Sequence, residues 1–337
     1  MTIVTTLQAA PELAATGAAG FAPVSSLTSA IRVLRNLSGF GRKSRFDRLL
    51  SPRAVAQRIE LLGADGTTIT VEVSGAGRPM LLVHGLGGSH HDWDAVVERL
   101  ARSHRVYTLD MSGHGARAAA DARPTLQTMA RDVALVIERL MIDRPLLAGH
   151  SMGALVIMQY LREHGADRVG GVCFVDQSPL ITTDAQWQLG LFGTLTREQL
   201  QGAVVRLGAD FVETVVSEAL ARLGLFRRAD RGMLGRLVRG LLVRFHDAMG
   251  VDSLLSILQS LADSDFRDVI GGLSLPTLVV LGGESRHYRG LPLAAYYQAA
   301  LPRGAVTTFA GCGHSPHREA PARFAAELAA FAARLQG

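Results

Sequence analysis

Lysine is almost absent from this sequence. Lys43 is its single representative, so all but one of the 35 basic residues are arginine, and the formal net charge is +5 with an isoelectric point near 9.7. The arginines are scattered among alanine and leucine at helical spacing and gather into no recognition stripe, so no nucleic-acid partner is expected. Cysteine is nearly absent too. Cys173 and Cys312, both in apolar surroundings, exclude a disulfide framework and are expected as buried free thiols, which suits a reducing compartment. No run of about 18 uncharged apolar residues occurs, so no membrane-crossing helix is expected. The opening residues, MTIVTTLQAAPELAATGAAGFAPVSS, lack the basic n-region and compact apolar run of a secretory signal, and a cytoplasmic location follows as the expectation. With 48% hydrophobic and 19% charged residues, the chain also lacks the composition of a disordered protein.

What is present is an ordered succession of short apolar runs and amphipathic stretches. Residues 1–56 are expected to form an extension, partly disordered or helical. Within it Leu27, Ile31, Leu34 and Leu37 recur at helical spacing among Arg32, Arg35, Arg42, Lys43, Arg45 and Arg48. That segment is read as a helix packed on its own domain. The alternative, a basic amphipathic helix on a lipid surface, is testable by liposome co-sedimentation with and without the extension. From Gln57 onward RIELL and TITVEV flank a hairpin signal at Gly63-Ala64-Asp65-Gly66. Then PMLLVHG, RVYTLD, PLLAGH and VGGVCFVD alternate with helical stretches at 93–101, 126–141 and 153–163. Apolar strands alternating with amphipathic helices predict a parallel sheet covered on both faces. The alternation stops at 178–268, which is helix-rich and carries Arg206, Arg222, Arg227 and Arg228. It resumes with PTLVVLG, AVTTFAG and helices near 291–301 and 320–335. The expected layout is a core of 57–177 and 269–337 with 178–268 inserted as a helical cap over the C-terminal edge of the sheet.

The stretch LLAGHSMGALV, 146–156, holds Ser151 between Gly149 and Gly153 where a strand-like run becomes a helix-like one. A serine so placed sits on a sharp strand-to-helix turn that exposes its hydroxyl at a helix N-terminus, and side chains at the flanking glycines would clash with neighbouring elements. Ser151 is therefore the predicted nucleophile. A base is expected at His314, in the Gly-rich loop of FAGCGHSPHREAP, with His317 as a structural or pocket-wall residue. LLVHGLGG places His84-Gly85 after another strand, and the backbone N–H groups of Leu86 and Met152 are predicted to form an oxyanion hole. His84, His90 and His91 invite a metal-ligand reading, but no carboxylate and histidine set at zinc-like spacing accompanies them, and neither metal nor cofactor is expected.

Together GHSMG, the His-Gly after a strand, LDMSGHG and GHSPHREAP resemble the α/β-hydrolase superfamily from about Arg58 to Gln336. The resemblance implies a mostly parallel eight-stranded sheet with helices on both faces and an inserted cap. It also implies an acid a few residues after the strand PTLVVLG, where this sequence has Ser285. Two acids remain as candidates: Glu284, one residue out of step, and Asp176, at the end of the preceding strand and next to the strand that carries Ser151. Asp176 is favoured, and the bland alternative is that it caps its own turn.

The expected activity is hydrolysis of a carboxylic ester, thioester or lactone through an acyl-enzyme. Leu189, Leu191, Phe192, Leu195, Phe211 and Phe226 in the cap suggest a small apolar substrate, with an acyl or aromatic group, although the same residues would be needed merely to pack the cap. Carbon–carbon bond hydrolysis or cofactor-free perhydrolase chemistry on the same residues is the alternative within enzymes. A hydrolase-fold ligand-binding protein is the alternative outside them.

Overall fold

The computed structural model describes residues 57–63, 66–117, 123–202, 204, 251–288 and 290–335. The basic segment 27–48, the hairpin tip Ala64-Asp65, and Arg206, Phe211, Arg222, Phe226, Arg227 and Arg228 of the expected cap lie outside the described residues.

Eight strands form one sheet: β1 Gln57–Leu62, β2 Thr68–Ser74, β3 Arg78–Val83, β4 His104–Leu109, β5 Leu146–His150, β6 Gly171–Val175, β7 Thr277–Gly282 and β8 Gly304–Phe309. Their order is β1-β2-β4-β3-β5-β6-β7-β8. β1 with β2 and β2 with β4 pair antiparallel, and the remaining neighbours run parallel. The β1–β2 hairpin read from RIELL and TITVEV is thus present. From β3 the chain steps outward to β4 and returns on the other side of β3 as β5, so the sheet switches direction where β5 ends. Open parallel sheets bind ligands outside the carboxyl ends of the strands at such a point.

Strand residues alternate between two buried layers, as a sheet covered on both faces requires. In β3 Met80 and Leu82 face one layer and Leu81 and Val83 the other; in β6 Cys173 and Val175 oppose Val172 and Phe174. The first layer is closed by α1 (Asp94–Leu100) and α8 (Pro321–Arg334) through Val96, Val97, Leu100, Phe324, Leu328 and Phe331. The second is closed by α2 (Leu126–Arg139) and α3 (Met152–His164), with Met129, Val133, Val136, Leu155 and Val156 inside. Each such side chain, fully withdrawn from water, contributes about 1.5–3 kcal/mol before chain entropy is counted. α2 begins where the sequence signals it: Thr125 Oγ1 accepts the N–H of Thr128, and Thr128 Oγ1 accepts that of Thr125, a reciprocal cap. Both cysteines are buried and free. No helix among the described residues is long and apolar enough to cross a membrane.

The two described ends of the 178–268 range join the main core. α4 (Val251–Ala262) buries Ile257 and Leu261 in the same layer as α2 and α3, and Phe266 follows them before α5 (Arg267–Gly271). Ser260 Oγ accepts the N–H of Leu126 at 3.0 Å. Leu189, Leu191 and Leu195 pack against that layer as well, whereas Phe192 is 39% exposed. Three of the four described residues that suggest an apolar substrate thus take a packing role, the alternative that their composition equally allows.

Candidate active site

Ser151 connects β5 to α3 with φ 51° and ψ −122°, a left-handed backbone that side-chain-bearing residues rarely adopt. The strain is held by fixed neighbours. Ser151 N–H donates to the carbonyl of Val175 on β6 at 3.0 Å, and its own carbonyl accepts from Ala154 in the first turn of α3. A Cβ at Gly149 would stand 2.3 Å from the Gly153 carbonyl oxygen, and one at Gly153 would stand 2.4 Å from that of Val83. The two glycines therefore let helix, elbow and β3 approach within backbone contact, and the serine is left as the side chain that projects from the turn.

His314 lies in the loop after β8, and its Nε2 stands 3.0 Å from Ser151 Oγ. Its Nδ1 donates to Asp176 Oδ2 at 2.6 Å. Asp176 sits at the C-terminal end of β6 with φ 46° and is 1% exposed. Its own N–H is tied to Val280 on β7, which turns the side chain across the sheet edge. Its carboxylate bonds none of the backbone of its own turn: Oδ1 accepts the N–H of Gly282, and Oδ2 accepts from Ser285 Oγ as well as from His314. Glu284 lies in a turn and not on an extended segment. Its N–H is bonded to the Cys312 carbonyl and the residue is exposed, while the His314 Nδ1 is bonded to Asp176. His317, in α7 (Pro316–Glu319), is fully buried with its ring 4.3 Å from that of Trp93 and away from Ser151 Oγ.

Sequence reasoning did not anticipate three further neighbours. His150, inside GHSMG, donates from Nε2 to the backbone carbonyl of His314 at 2.8 Å, so the elbow holds the loop that carries the imidazole. His287 stacks on His314 with ring centroids 3.9 Å apart and planes 22° from parallel, covering one face of the ring. Ser285 was visible in the sequence as a departure from the usual acid position, but its bond to Asp176 was not.

The loop after β3 brings Leu86 to the same edge. Among the described residues neither the Leu86 nor the Met152 N–H donates to an acceptor, and Met152 opens α3. The loop is stapled from below. His84 is buried, its Nδ1 donating to the Gly85 carbonyl and its Nε2 accepting the N–H of Met111. Asp110 accepts from both the backbone N–H and the ring of His90, and from the N–H of Ala116. Burial opposes charge on this pair, and the mutual hydrogen bond and field prevail. His90 is raised to about 9, helped by Glu72, and Asp110 is held well below the carboxylate range. His91 bonds Asp94. His84, His90 and His91 thus have separate hydrogen-bond partners.

Burial lowers the basicity of six histidines: His84, His104 and His317 are pushed below the ordinary value, His114 and His150 fall to about 3, and His314 falls to about 4. An unfolded chain binds protons at these sites below its ordinary value near 6.5 while the folded chain does not, so folding loses stability as pH falls from 6.5 toward 3. At pH 4.5, His114 and His150 should each remove about 2–3 kcal/mol. Asp176, pushed up to about 6 by burial, opposes the trend with one proton between pH 6 and 3.8. His90 adds nothing there, because its contribution is complete below 6.5 and is lost only as pH rises through 9. The melting temperature should drop steeply between pH 6.5 and 4.5, and a flat profile by calorimetry would contradict the buried neutral state of these rings.

A doubly covered sheet of this order, with a hydroxyl, an imidazole and a carboxylate joined at its switch point, defines an α/β hydrolase. The chain belongs to the alpha/beta hydrolase family, which it matches over residues 80–327. It is 28% identical over 262 residues to the dihydrolipoyllysine-residue acetyltransferase component of the acetoin cleaving system of Pseudomonas putida, covering 76% of this chain but only 63% of that protein. It is 27% identical over 271 residues to the pimeloyl-[acyl-carrier protein] methyl ester esterase of Vibrio vulnificus, covering 80% of this chain and 99% of the esterase. Among solved structures an esterase from Exiguobacterium antarcticum superposes with a TM-score of 0.66 at 22% identity, covering 82% and 99% of the two chains, a likeness of fold.

Proposed function

We propose that Ser151, His314 and Asp176 form a nucleophile, base and acid that hydrolyse a carboxylic ester of a small apolar substrate. The observation that carries this reading is the unbroken chain from Ser151 Oγ through both nitrogens of His314 to a buried carboxylate, mounted on a strained elbow. At neutral pH the imidazole is neutral and Asp176 is ionised, as a resting base and its orienting acid must be.

Nε2 of His314 takes the hydroxyl proton as Ser151 Oγ attacks the ester carbonyl carbon. The tetrahedral oxyanion is held by the N–H groups of Leu86 and Met152, which lack other acceptors among the described residues. Asp176 stabilises the imidazolium, which then protonates the departing alkoxide, and an alcohol leaves. Water, deprotonated by the same nitrogen, attacks the acyl-serine, and the acid departs as Ser151 regains its proton. Every group in these steps belongs to the chain or to water. The range 178–268 lies between β6 and β7 in chain order, which is where a cap over the site would be inserted, and two buried free thiols suit work in the cytoplasm. Relatives bearing esterase names support an ester over a carbon–carbon bond.

A fluorophosphonate probe tests the reading. It should label the wild-type protein at Ser151, as located by peptide mass, and p-nitrophenyl esters should turn over faster than a vinylogous diketone. Absence of labelling in folded protein would leave a ligand-binding protein as the better account, and preference for the diketone would favour carbon–carbon cleavage.

A further inference from the structure

Asp176 presents an electrostatic problem. Its carboxylate is buried, and among the described residues no arginine pairs with it, so its charge is sustained by hydrogen-bond donors. Two of the three come from the end of β7: the Gly282 N–H at 2.8 Å on Oδ1, and the Ser285 hydroxyl at 2.6 Å on Oδ2. Oδ2 is also the oxygen that receives His314 Nδ1. An ionised carboxylate has no hydrogen to give, so at that distance the Ser285 hydroxyl donates.

We propose that Ser285 is a positioning residue for the triad acid: its hydroxyl holds Asp176 ionised and aimed at His314, and so sets the acid limit of catalysis. The proposal rests on the reading of Ser151, His314 and Asp176 given above. Ser285 is bonded to Asp176, whereas the nucleophile is bonded to His314, so Ser285 acts through Asp176. The other groups around the carboxylate come from each packed element. His314 approaches from the loop after β8, His150 from β5, His287 and Tyr288 from the segment after β7, and Tyr297 from α6 (Gly290–Ala300). Both tyrosines are buried and pushed to higher values, and His150 is pushed low, so all three stay neutral across the working range. Burial raises Asp176 to about 6, with Ser285 the first of the forces acting against it. Without the hydroxyl the carboxyl rises further, and less of it is ionised near neutrality.

The test is the pH dependence of kcat/KM from pH 5 to 9 on an uncharged ester, for the wild type, Ser285→Ala and Ser285→Thr, with melting temperatures measured in parallel. Ser285→Ala should move the acid limb up by about one pH unit, the tenfold change in protonation that loss of one charge-assisted hydrogen bond produces. Activity then falls about fivefold near pH 6 and about tenfold near pH 5, and recovers by pH 9. Ser285→Thr, which keeps the hydroxyl, should retain the wild-type limb. A loss in Ser285→Ala that is equal at all pH values, or an unmoved limb, overturns the proposal, because a merely structural turn residue has no reason to act selectively in acid. The same series in Asp176→Asn separates this failure from a deeper one: full activity there would remove the triad reading and the role of Ser285 with it.

Discussion

Ser151→Ala should lower ester turnover by about six orders of magnitude, to the residual level that binding and the oxyanion donors sustain without a nucleophile. One oxygen is lost from a turn whose backbone is held by Val175 and Ala154, so the fold should persist. Ser151→Gly should be equally inactive yet melt higher than Ser151→Ala, since φ 51° with ψ −122° burdens alanine by about 1–3 kcal/mol and glycine by little. Ester hydrolysis at near wild-type rate by either variant would end the mechanism. His314→Ala should behave as Ser151→Ala does. His317→Ala should instead lower the melting temperature with turnover largely kept, because its ring fills the space against Trp93, His150 and Phe324.

Asp176→Asn should cost two to four orders of magnitude at neutral pH, at the upper end matching loss of the orienting charge in a serine protease triad. The amide can keep Oδ1 on the Gly282 N–H, and its nitrogen then faces His314. That nitrogen demands an acceptor at Nδ1 and drives the proton to Nε2, where it meets Ser151 and blocks the base. The shape of the site is preserved, so the melting temperature should change little. Glu284→Gln should cost less than about tenfold, since that residue is exposed and the imidazole is bonded to Asp176 instead. Purified variants assayed on one good ester decide it: if the two losses are exchanged, the acid follows β7.

The elements and the elbow were legible for different reasons. PMLLVHG, PLLAGH, VGGVCFVD and PTLVVLG could be read as doubly buried strands because an apolar run of that length between amphipathic helices has few other packings. Helix ends were legible to within about two residues, for example Leu126–Arg139 against an expected 126–141, because the last turn depends on the loop that follows. The share of 178–268 that packs into the main core was not legible: leucines of α4 at helical spacing look alike whether they meet a cap or a sheet.

Which histidine is near which acid is likewise not a local property. The sequence left Asp176 and Glu284 both open, and set Glu284 aside as one residue out of step at a place where the chain in fact turns. Parallel pairing of β6 with β5 and β7 brings residues 151, 176, 282 and 285 to one edge, and the loop after β8 adds 314. Side-chain chemistry at a strand-to-helix junction, and the hydrophobic period that makes a sheet, are written in neighbouring residues and could be read there. The partners of Asp176 and the clamp from His150 to the His314 carbonyl lie 106 to 164 positions apart, and the stack of His287 on His314 spans a helix and a strand, so they exist only once the strands are in register.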